Sequence, residues 1–216
     1  MSPLKSLIKK EIILEWRQRY ALNGILLQVL SSVFVVYLAI KTLNNNTWNG
    51  VFWVLMLFIS INAIAKSFIG EGKGKNLYYH MLVQPQQLLL AKFIYNAILN
   101  VFLSFLSLIT FILLLGNPID SLFLFISVTV LGCIGFAATF TMLSAISSKG
   151  GNSNLLMPVL SLPIIIPLLL IIIKATKRAM DGTDATQIYK DLGTLFIFNI
   201  LIVALAYILF PSLWKE

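Results

Sequence analysis

Six apolar stretches divide the chain, at about residues 22–42, 48–69, 88–115, 121–146, 155–174 and 193–213. Each is close to the roughly 20 residues that a helix needs to cross the hydrocarbon core of a bilayer. Lipid offers the backbone no hydrogen-bond partners, so segments of this length and apolarity are held to helical structure. The chain therefore reads as an all-α integral membrane protein with six transmembrane helices, a single transmembrane domain over residues 1–216. Residues 22–213 form the six-helix bundle, and residues 1–20 form a cytoplasmic interfacial helix ahead of it. Composition agrees, with 59% hydrophobic and 11% charged residues where a soluble domain carries about 25% charged.

The net charge of +8 does not point to nucleic acid, because the cations flank apolar spans, where they report topology and contact with lipid headgroups. Placing the N-terminus inside puts Lys5, Lys9, Lys10, Arg17, Arg19, Lys66, Lys73, Lys75, Lys92, Lys149 and Lys215 on the cytoplasmic side. Only Lys41, Lys174, Lys177, Arg178 and Lys190 then lie outside. Both termini are expected in the cytoplasm. The short turns around Asn44, Asn45 and Asn46 and around Gly116, Asn117 and Pro118 are expected to face away from it.

The helical pattern at Leu4 to Arg19 is amphipathic but imperfect. Lys5, Lys9, Lys10 and Arg17 fall on one side and Leu4, Leu7, Ile8 and Leu14 on the other, with Glu11 and Glu15 intruding on the apolar side. This predicts a helix lying on the leaflet with Trp16 and Tyr20 at headgroup depth. The alternative is a soluble partner that covers the two glutamates.

Lys66 to Lys92 is the longest polar interruption in the first half of the chain. Asn76 to Val83 predicts a short helix, with Asn76 as N-cap, Leu77, Met81 and Leu82 on one face, and Pro85 helping to stop it. A short surface helix between two spans suits docking of a separate subunit. The cluster Gly70, Gly72, Lys73, Gly74, Lys75 imitates a phosphate-cradling loop without its spacing: Ile69 stands where the first glycine belongs and Asn76 where the hydroxyl belongs. It reads better as a flexible basic hinge at the membrane surface.

In the fourth span Gly132, Cys133, Gly135, Ala137, Ala138, Thr139, Thr141, Ser144 and Ala145 are all small, and Ala137, Thr141 and Ala145 recur every four residues. Such a span predicts close packing between helices, within the subunit or across a dimer. The second cytoplasmic loop, with Lys149, Gly150 and Gly151, opens into a span broken by Pro158, Pro163 and Pro167. Each proline frees a carbonyl that must find a partner, so this span is expected to be buried in protein or to border a pathway. Beyond it, Ala175 to Leu192 reads as an outer segment with a turn at Asp181-Gly182, either a solvated loop or two short pieces with one re-entrant. Lys174, Lys177 and Arg178 at this outer end, with the three prolines, make a candidate path for an anionic amphiphile.

No constellation for bond-making chemistry is visible. No carboxylate lies deep in a span, the lone His80 has no partners, and the single Cys133 sits in an apolar run. The expectation is a non-enzyme with no stably bound cofactor and no metal site.

Three stretches resemble the haem exporter protein B family, the permease subunit of the bacterial cytochrome c maturation ABC transporter. They are the opening helix Lys9 to Arg17, the first loop from Asn76 to Leu82 with Ala91-Lys92, and Lys149-Gly150-Gly151 followed by the proline span through Leu160 to Leu168. Members often carry several acidic residues in the first loop, where this chain keeps Glu71 among lysines. The resemblance implies an ABC-2 type permease, multi-pass in the bacterial inner membrane, that delivers haem outward as a transported substrate. It also implies a separate ATPase subunit, other cytochrome c maturation membrane proteins and a second copy of the chain as partners. Glu71, Asn76, Leu77, Tyr78, Tyr79, His80 and Met81 would then form the ATPase-coupling loop. The alternatives are an ABC-2 permease for lipid or polysaccharide and a membrane scaffold that moves no substrate.

Overall fold

The computed structural model describes residues 3–17, 19–40, 43–65, 67, 85–147, 153–182 and 185–214, and these form seven helices with no strand among them. They are α1 (Pro3–Arg17), α2 (Arg19–Ala39), α3 (Asn45–Ile64), α4 (Pro85–Leu115), α5 (Leu122–Ser147), α6 (Ser153–Met180) and α7 (Ala185–Trp214). The helices α3 to α7 are each long and apolar enough to cross a membrane, and α2 carries a shorter apolar stretch, Asn23–Ala39.

Local chemistry sets the ends. Asn44 has extended backbone and its side chain accepts from the Thr47 amide at 2.8 Å, so α3 starts at Asn45, before the first residue that hydropathy alone selects. Pro85 opens α4, a position where its missing N–H costs nothing. At 31 residues, α4 is about 46 Å long, more than the ~30 Å thickness of the hydrocarbon core.

The outer segment differs from its expected form. It contains neither a long loop nor a re-entrant piece among the described residues: α6 runs on to Met180 and α7 begins at Ala185. Hydropathy ends at Lys174, but Ala175 to Met180 are compatible with continued helix and nothing there breaks it. The turn at Asp181-Gly182 is present, with Gly182 at φ +63°. A Cβ on Gly182 would stand 2.5 Å from an Asp120 carboxylate oxygen, and the Ser121 amide donates to the Ala179 carbonyl at 3.0 Å. The α4–α5 turn and the α6–α7 turn are thereby held together.

The small-residue helix α5 is the centre of the bundle and packs on α3, α4, α6 and α7. Gly132 lies against Trp53 and Ile172, and Gly135 against Leu168 and Asn199, approaches that a larger side chain would obstruct. An aromatic cluster fills the core at the end near the α4–α5 turn: the ring centroid of Phe52 lies 5.3–5.6 Å from those of Trp48, Trp53 and Phe111. Phe125 closes the cluster at 6.0 Å from Trp48.

Candidate functional site

The opening helix does more than rest on a leaflet. Leu7 is buried against Leu88 and Ala91 of α4, with Ile8 beside them, while Ile12, Ile13 and Leu14 are exposed. Leu14 lies on the same face as Leu7, two turns further on, and there it is exposed. Glu11, the apparent flaw in the apolar stripe, is the residue that α4 requires. Its carboxylate lies 3.5 Å from the Lys92 ammonium and 3.0 Å from that of Lys10. A partner within the chain covers Glu11, so no soluble protein is needed to explain it. The side chains of Glu15, Trp16, Arg17 and Tyr20 lie outside the described set.

Lys92 is 2% exposed. Its ammonium also donates to the Ser67 carbonyl, just beyond the end of α3. One turn further along α4, the Asn96 amide donates to the Ser67 hydroxyl at 3.2 Å and to the Thr141 hydroxyl of α5 at 2.9 Å. Ser144 donates to the Ala65 carbonyl at 3.2 Å. A buried cation is tolerated only when paired and hydrogen-bonded, and here Glu11 of α1 and the Ser67 carbonyl of the chain leaving α3 do both. The first predicted cytoplasmic loop departs beside Ser67 and returns into the helix that carries Lys92. The departing end of that loop therefore meets the helix into which the chain returns at one buried polar junction.

The loop residues named from sequence, Glu71, Asn76, Leu77, Tyr78, Tyr79, His80 and Met81, lie outside the described residues, as do the short helix expected there and Lys149, Gly150 and Gly151 of the second loop.

Of the two settings expected for the proline span, burial within this chain is not the one found. Pro163 and Pro167 are exposed, on the side of α6 that also shows Leu162, Ile166 and Leu170. The buried side is formed by Ile165, Leu168, Ile172, Ala175 and Ala179. Within this chain the prolines thus face outward, because three- and four-residue steps put them opposite the packing stripe. The same stripe continues to Lys174 and Lys177, both exposed. Arg178 stands apart from them, since its guanidinium pairs with Asp191 of α7. The side chain of Pro158 lies outside the described set.

A laterally open groove of about 500 Å³ lies between α5 and α7, over Leu131, Ile134, Ile200 and Tyr207. Its lining carries no charged side chain, so it does not match an anionic amphiphile. Asn199 at its edge donates to the Leu131 carbonyl at 2.9 Å and ties α7 to α5. Near the end of α6 Thr176 donates to the Asn49 side-chain oxygen at 2.9 Å, accepts from the Trp53 indole at 3.1 Å, and so links α3 to α6. No group of three or more metal-ligating side chains occurs among the described residues.

Residues 2–209 match the model of the CcmB protein family. The chain belongs to the CcmB family. This is the haem exporter protein B family, whose members are membrane transport components of cytochrome c maturation, part of a multi-subunit haem exporter that includes an ATPase. Membership makes the chain a multi-pass membrane protein of that system. No curated protein matches it.

Sequence reasoning missed the junction. Lys92 was counted as one more cytoplasmic cation, and Asn96 and Thr141 were read as part of a span and of a packing pattern. The signal was present: Lys92, Asn96, Asn100 and Ser104 recur every four residues in an otherwise apolar helix, and polar groups at such positions face protein rather than lipid.

Proposed function

We propose that this chain is the permease subunit through which a separate ATPase drives outward delivery of haem for cytochrome c maturation. The ATPase docks on the first cytoplasmic loop, at Glu71 and Asn76 to Met81, with Lys149, Gly150 and Gly151 of the second loop beside it. Both termini are cytoplasmic, two copies of the chain pair in the complex, and the assembly sits in the bacterial inner membrane with the other maturation proteins.

The observation that supports this reading most is the junction at Lys92. Motion of a bound subunit enters the chain where the loop joins the bundle, and that point is hydrogen-bonded to α1, α4 and α5 together. Haem has a large apolar face and two carboxylates. The exposed stripe of α6, apolar along Pro163, Pro167 and Leu170 and ending in Lys174 and Lys177, offers an apolar wall with cations at its outer end, to which carboxylates bind by charge-assisted hydrogen bonds.

The test of docking is a double change, Tyr79→Asp with Met81→Asp. It is expected to abolish pull-down of the ATPase while leaving membrane insertion intact. Pull-down at the level of the unchanged chain would remove this loop as the coupling element. Orientation is tested separately in a Cys133→Ala background: a cysteine at Asn45 should react with an impermeant thiol reagent in intact cells, and one at Ser148 should not.

A further inference from the structure

The polar face of α4 continues inward from the junction. Asn100, Ser104 and Ser107 follow Lys92 and Asn96 at steps of four, four and three residues, and all three are at most 1% exposed. Asn100 has neither its amide nitrogen nor its oxygen hydrogen-bonded, and the Ser107 hydroxyl and the Trp48 indole nitrogen are likewise without partners. Buried polar groups in proteins are seldom left in that state, least of all inside a membrane, where lipid supplies nothing. Trp48 contacts Phe111, one turn beyond Ser107. The unpartnered atoms therefore belong to one seam, between α3, α4 and α5.

Helix register shows what space the seam has. Asn96 meets Ser67 beyond α3 and Thr141 on α5, and both neighbours run antiparallel to α4. Four residues on, Asn100 therefore comes level with Ala63 and Ala137, two of the smallest side chains available. Another four residues on, Ser104 comes level with Cys133; its hydroxyl donates to the Val101 carbonyl at 2.8 Å and keeps its oxygen free to accept from water. Successive polar groups along α4 are separated by a rise of about 6 Å and then about 4.5 Å. A single bridging water, with hydrogen bonds of about 2.8 Å on each side, spans such gaps.

We propose that this seam is a water-binding site, a short file of ordered water held by Asn100, Ser104 and Ser107 and reaching toward the indole of Trp48. Water fits better than an ion, because the described residues that line the seam include no carboxylate to balance a cation and no free cationic group to balance an anion. It also fits better than an organic ligand, because the residues level with Asn100 on both neighbouring helices, Ala63 and Ala137, belong to the packed core. The site gives α4 a hydrated face directly above the junction at Lys92. It does not depend on which substrate the complex carries.

The test is radiolytic footprinting of the full chain in lipid nanodiscs in oxygen-18 water, which marks side chains beside bound water. Oxygen-18 is expected at Cys133, Met56 and Trp48, all at most 1% exposed, as well as at Tyr189, which is 60% exposed and serves as reference. An Asn100→Leu, Ser107→Ala double variant should lose the label at the three buried positions and keep it at Tyr189. If that variant does not accumulate, Ser107→Ala alone, which removes one hydroxyl and fills no space, should lose the label at Trp48. The proposal is overturned if the buried positions stay unlabelled in the unchanged chain while Tyr189 is labelled. It is equally overturned if their label survives undiminished in the variant.

Discussion

The two ends of the bundle are fastened by different chemistry. At the end that carries the first loop, a buried ammonium is the hub, and Lys92 draws Glu11 and Ser67 onto itself while Asn96 extends the link to α5. At the other end the buried link is neutral, with Thr176, Asn49 and Trp53 sharing hydrogen bonds, and the ion pair Arg178–Asp191 lies near the surface. A neutral link loses little more than its own hydrogen bonds when broken. A buried charge leaves its partner uncompensated as well, so it couples its surroundings more tightly. On the proposed function, tight coupling belongs where the ATPase moves the chain, at the end that carries the first loop.

Mutations at the two ends separate these roles. Lys92→Ala is expected to cost about 3 kcal/mol by leaving the Ser67 carbonyl without its partner and Glu11 with Lys10 alone, read as a lowered midpoint of thermal unfolding in detergent. Glu11→Leu combined with Lys92→Met should recover much of that loss. If Lys92→Ala unfolds like the unchanged chain, the ammonium is not a hub and the contrast between the ends fails.

At the outer end Thr176→Val should cost about 2 kcal/mol, because it leaves the Asn49 oxygen and the Trp53 indole unpaired in the core. The same unfolding measurement checks it, and a loss larger than that of Lys92→Ala would reverse the comparison. A gentler probe is Lys174→Gln with Lys177→Gln, which should reduce holocytochrome c yield partially without lowering the amount of complex in the membrane. Unchanged yield would leave the α6 stripe without an electrostatic role. The smallest effect is expected for Arg178→Gln, below about 1 kcal/mol, since a partly exposed pair contributes little.

The same contrast explains what could be read beforehand. The helices, their order and the turn at Asp181-Gly182 follow from apolar length and from turn chemistry, both local properties. Helix ends were less legible, since Asn44 as a cap and the helical run from Ala175 to Met180 are not hydropathy signals. The exposed side of α6 could not be told from its prolines, because a proline requires a partner for a carbonyl without saying which neighbour supplies it. Lys92 was the hardest case. A lysine beside a span has the same appearance in sequence whether it meets headgroups or a glutamate from a helix some 80 residues away, and only packing of α1 on α4 decides.

The central claim is that force from the ATPase enters through the Lys92 junction. The most direct measurement is holocytochrome c yield per assembled complex in the Glu11→Leu, Lys92→Met variant, with ATPase pull-down recorded alongside. The account predicts that pull-down is retained, because the docking loop is untouched, and that yield per complex falls several-fold. Unchanged yield from a fully assembled complex would contradict it.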